Sequence, residues 1–153
     1  MYVSVLLVHS WLRWVVIGLA LLVLSHAISG LTGRRDWRPA DDRAVRLFSI
    51  ALDVQVLLGL LLYFLLSPIT GEALRNFGAA MGNAPMRFWA VEHGFGMIVA
   101  IALAHIGKAR VRKLHDPVRR HRTAAIFFGL ALVALLVSIP WPGTPNARPL
   151  FRW

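Results

Sequence analysis

Apolar positions fall in four long runs, Val3 to Leu31, Val45 to Leu66, Met86 to Ile106 and Thr123 to Ile139, each bounded by proline, glycine or clustered charge. A bilayer core asks for roughly 20 apolar residues per helical crossing, and each run is about that long. The pattern predicts an all-α integral membrane protein, a single four-helix transmembrane domain over residues 1–153 with up-down-up-down topology. The first run is expected to be a retained span. Met1 is followed by no basic region, and the apolar stretch is too long for a cleaved signal peptide.

Composition agrees with lipid as the solvent. Of the 153 residues 58% are hydrophobic and 16% charged, more apolar surface than a water-soluble fold of this size hides. There is no cysteine, which excludes disulfides, c-type haem attachment and thiolate iron–sulfur ligation, so a metal would have to be held by His, Met or carboxylate. No Gly-rich phosphate loop, zinc-type His spacing or nucleophile elbow is present.

Charge changes the picture by orienting it. The net charge is +10, and 12 of the 17 Lys and Arg residues lie in two short loops: Arg34, Arg35, Arg38, Arg43 and Arg46, then Lys108, Arg110, Arg112, Lys113, Arg119, Arg120 and Arg122. Such a distribution follows the positive-inside rule and argues against a nucleic-acid role. It predicts a multi-pass protein of the bacterial inner membrane, with the basic loops in the cytoplasm against anionic headgroups and both termini in the periplasm. Trp11, Trp14, Trp89, Trp141 and Trp153 then fall towards the outer interface and Trp37 alone towards the inner one. In the outer loop 67–85, Leu74, Phe77 and Met81 have helical spacing and predict a short interfacial helix. The tail 140–153 contains Pro140, Pro142, Pro145 and Pro149 and is expected to be extended. This loop and tail are the surfaces expected to meet other membrane-protein subunits.

Ionisable groups within spans carry the candidate chemistry, because a charge at mid-membrane costs about 2.5 to 3.5 kcal/mol even on insertion scales. The first span holds His9, Arg13 and His26, the second Asp53 and Gln55, the third Arg87, Glu92, His93 and His105, and the fourth none. At about 1.5 Å per residue, His9 and His93 lie at one depth, and their parallel helices sit diagonally across a bundle. Two imidazoles at one level suit the axial positions of a haem b iron, and Gly94 and Gly96 flank His93 with little bulk. Arg13, one turn from His9, is expected either to pair with Glu92 or to hold a haem propionate.

His26 and His105 form a second candidate pair near the inner face, for a second haem. His26 is rotated roughly 100° from His9 and His105 roughly 120° from His93, so the pairs do not share one stripe. Every one of these histidines has an alternative role as interhelical hydrogen-bonding glue, and Asp53 and Gln55 likewise. His115 and His121 lie among dense positive charge and are expected to be solvated.

The runs Leu7-Val8-His9-Ser10-Trp11-Leu12-Arg13-Trp14, Gln55 to Phe64, Arg87 to Met97 and Ile139-Pro140-Trp141-Pro142 resemble a family of small bacterial four-span proteins labelled cytochrome b-like, over nearly the whole chain. The resemblance implies that His9, Arg13, Glu92 and His93 are characteristic polar positions, with no family histidine at positions 26 and 105. Where the family carries a histidine two residues before the glutamine of the second span, this sequence has Asp53. A fainter similarity, limited to architecture and His9, is to the membrane-bound protoporphyrinogen oxidases. Three expectations follow: a haem-binding electron-transfer protein, a cofactor-free accessory subunit of a respiratory or photosynthetic assembly, and a porphyrin-oxidising membrane enzyme.

Overall fold

A computed structural model describes residues 1–151 and is all-helical, with no strand among them. Helix α1 spans Tyr2–Thr32 and α2 spans Pro39–Leu61, continuing as one π-helical segment over Leu62–Leu66. Three short helices follow, α3 (Pro68–Arg75), α4 (Phe77–Gly82) and α5 (Ala84–Arg87), then a second π-helical segment, Phe88–Glu92. Helices α6 (His93–Lys113) and α7 (Pro117–Val137) complete the chain. Four of these stretches are long and apolar enough to cross a membrane.

The helices begin earlier than the apolar runs because caps, not hydrophobicity, set their ends. Pro39 and Pro117 occupy the first turns of α2 and α7, where the missing N–H costs nothing. Asp41 accepts from the Arg38 backbone N–H at 2.8 Å, and Asp116 from that of Arg119 at 2.7 Å. Arginine is a good helix former, so both helices run through the basic loops before entering apolar sequence.

α1 packs on α2 and α7, and α6 on α7 and α2, which puts α1 and α6 on a diagonal. The packed centre is rich in small residues, with Ala20, Ala27, Ala100, Ala104, Ala124 and Ala131 all buried around an edge-to-face pair, Phe48 and Phe128, at 5.7 Å. Small residues let helices approach where lipid supplies no hydrophobic drive between them. Large side chains such as Leu57, Phe64, Leu65 and Val137 face outward.

The loop expected to form a single helix is broken at Asn76, whose side chain caps α4 through the Ala79 N–H at 3.4 Å. Ala73 and Ala80 turn inward, Leu74 and Phe77 outward, with Met81 half-buried. The described part of the tail is non-helical but turned, not extended as expected: the Thr144 N–H bonds to the Trp141 carbonyl at 3.3 Å, the Ala147 N–H to the Thr144 carbonyl at 3.0 Å, and Gly143 has φ of 90°. It folds back onto its own bundle: Arg13 and Trp14 donate to the Leu150 carbonyl at 2.6 and 3.3 Å, and Phe151 stacks on Trp14 at 5.4 Å. Trp11, Trp14, Trp89 and Trp141 gather at this end, while Trp153 lies outside the described residues.

Candidate functional site

His93 opens α6 directly after the second π segment, and its orientation comes from the end of α7. Its Nδ1 is 2.8 Å from the Ser138 carbonyl, one of the terminal carbonyls a helix leaves without an internal partner. A carbonyl only accepts, so Nδ1 carries the proton and Nε2 keeps its lone pair. Metal-ligating histidines are commonly held this way. Gly96 makes the approach possible, since a Cβ there would collide with the Ser138 side chain.

His9 is held from α2. The Gln55 amide nitrogen donates to the His9 carbonyl oxygen at 3.0 Å and lies 3.2 Å from His9 Nε2. Turning the amide over would set two carbonyl oxygens against each other, so Nε2 accepts and the proton sits on Nδ1, which is buried without a partner. Gly59 makes room for the ring: a Cβ there would stand 3.3 Å from His9 Cε1.

The two rings meet edge to face across the diagonal, with centroids 6.5 Å apart and planes at 72°. Trp89 and Phe88 pack on His93 at 5.6 and 5.9 Å. Three cavities are each lined by both histidines. The largest, about 340 Å³, is an apolar cleft between α2 and α6 whose walls include Gly94, Phe95 and Met97. Two smaller ones, about 70 and 90 Å³, lie towards the tail and are both lined by Arg148, the first also by Arg13. Both π segments border this region and are tied together, with the Tyr63 hydroxyl donating to the Ala90 carbonyl at 2.6 Å. Single π turns of this sort are frequent at functional sites.

Several expectations need correction. Arg13 does not reach Glu92, because Arg87, only five residues from Glu92, takes that carboxylate at 2.7 Å. Gly96 gives room to α7 and not to a ligand, whereas Gly94 has nothing within 4 Å of a Cβ position and borders the large cleft. His26 and His105 are not brought together. His26 Nδ1 lies 3.1 Å from Asp41 without a hydrogen bond to it, and His105 donates through Nε2 to Asp53 at 2.7 Å, so the two lie against different carboxylates of α2. Asp53 and Gln55 accordingly serve different partners. His121 is fully buried and not solvated, packed at a tilt against Trp37 at 4.9 Å and seated where Gly30 leaves no side chain. His115 is exposed.

Comparison with family models, curated proteins and solved structures finds no match. The donor set must therefore speak for itself. No group of three or more His, Asp or Glu side chains that could hold a metal ion occurs among the described residues. Two imidazoles alone leave a metal short of ligands, and a planar macrocycle that brings four nitrogens of its own makes up the difference. Sequence reasoning missed Ser138 and Arg148. The first acts through a main-chain carbonyl that no side-chain pattern announces, and the second lies in a proline-rich tail whose return to the bundle has no periodic signature.

Proposed function

We propose that the chain is a haem-binding, electron-transferring subunit of the bacterial cytoplasmic membrane, an up-down-up-down bundle with its basic end in the cytoplasm and both termini outside. The observation that carries the reading is the His9–His93 pair, with ring centroids 6.5 Å apart and His93 Nδ1 held by Ser138. Bound, haem would supply a one-electron Fe(III)/Fe(II) couple. The chain's own part is to fix the His93 ring through Ser138, to exclude water with Trp89 and Phe88, and to offer Arg13 and Arg148 to acidic substituents at the tail end.

The test is an absorption spectrum of the detergent-purified protein from haem-replete cells, oxidised and reduced. A low-spin Soret band is expected in the wild type and is lost in His9→Ala and His93→Ala, while His26→Ala and His105→Ala retain it. A wild type without any Soret band rules the reading out.

One observation favours a cofactor-free accessory subunit instead. The Gln55 amide already engages His9 Nε2, as in ordinary interhelical hydrogen bonding. The two readings part at Gln55→Leu. Under the haem reading this variant keeps the band, whereas under the accessory reading no variant has one and the substitution only lowers stability.

A further inference from the structure

At the basic end, α2, α6 and α7 border a cavity of about 540 Å³ whose lining carries Arg46, Lys108, Arg112 and Arg120 against one carboxylate, Asp42. Arg120 donates to Asp42 at 3.2 Å and lies over Trp37 at 4.5 Å, so that carboxylate is engaged and that guanidinium is fixed. Arg46, Lys108 and Arg112 form no ion pair with any carboxylate of the described residues. Three uncompensated cations around one concavity repel one another and raise the affinity for an anion.

The surface above the cavity decides which anion. From Arg46, Ile50 and Val54 continue one stripe of α2 with their side chains exposed, and on α6 the exposed Ile98 shares a face with His105 and Arg112. Between them lies the Asp53–His105 pair, with side chains 41% and 47% exposed. Asp53 is seven residues from Arg46, about 10 Å along the helix. A soluble anion would cover the cations and leave this face bare. An amphiphile covers both, with its ester region at the depth of the polar pair. We infer that this cavity seats the phosphodiester headgroup of an anionic phospholipid, its acyl chains lying along α2 and α6. Basic pockets between membrane helices take such headgroups, and nothing in this inference depends on haem.

The test is native mass spectrometry of the full-length protein in detergent with added diphosphatidylglycerol, phosphatidylcholine or inorganic phosphate. The anionic lipid is expected to be retained in preference to phosphatidylcholine. Arg46→Gln, Lys108→Gln and Arg112→Gln are each expected to lower its affinity about fivefold. Lys113→Gln and Arg122→Gln, which remove the same charge outside the cavity, leave it unchanged. An equal loss in those two would reduce the effect to general surface attraction and overturn the seat. Inorganic phosphate that displaces the lipid at equal concentration would overturn the lipid in favour of a soluble phosphorylated ligand. Arg46→Lys and Arg112→Lys keep the charge and retain at least half the occupancy. A loss in them as large as in the glutamine variants would trace the effect to damaged packing and overturn the proposal.

Discussion

Two residues with no role in the histidine pair show how tightly the basic end is built. Gly30 of α1 and the ring of His121 on α7 occupy adjoining space, so a methyl group at position 30 has nowhere to go. Gly30→Ala is expected to destabilise the protein by about 1–3 kcal/mol, as overpacking of a close core does. Adding His121→Ala should return part of that loss, and the measurement is a double-mutant cycle on thermal unfolding in detergent. Strict additivity would show that the two do not meet. His121 also illustrates what the sequence conceals. Its neighbours Arg119, Arg120 and Arg122 mark the segment as a solvated loop, yet His121, Ala124, Phe128 and Ala131 share one face of α7, and all four are buried. The stripe was there to be extended backwards, and the charge density hid it. His9 and His93 were legible because depth along a helix can be counted from its end. Arg13 was not, because its partner is a carbonyl of the distant tail.

Helices and their irregularities form the next scale. The four spans were evident in the apolar runs, but their starting points were not, because Pro39 with Asp41 and Pro117 with Asp116 start helices inside charged sequence. The π segments at 62–66 and 88–92 were invisible for a different reason: an extra residue in a turn leaves the composition unchanged. They are joined to each other, since the Tyr63 hydroxyl of the first donates to the Ala90 carbonyl of the second at 2.6 Å. Tyr63→Phe removes the donor while keeping the ring, and is expected to cost about 1 kcal/mol, the usual worth of one part-buried hydrogen bond. Chemical or thermal unfolding of the purified variant measures it. A change of a few tenths at most would mean that water or lipid headgroups replace the hydroxyl.

For the whole molecule, orientation and closure are the two issues. The chain has no native cysteine, so single introduced thiols report sidedness without background. With the basic loops in the cytoplasm, a membrane-impermeant maleimide should label Thr144→Cys in intact spheroplasts and Lys113→Cys only after lysis, and the reverse pattern would invert the topology. Deleting residues 143–153 removes the Leu150 carbonyl from Arg13 and Trp14 and Phe151 from Trp14. The expected result is unchanged helix content by circular dichroism with a stability loss of roughly 2 kcal/mol, the usual worth of a charge-assisted hydrogen bond.

The placement of that tail carries a consequence for assembly. It follows all four spans in the chain, so during synthesis the helices are made while the mouth it later covers still stands open. Arg148 and Leu150 therefore reach the histidine end only once those helices stand, and settle over its threshold as a latch.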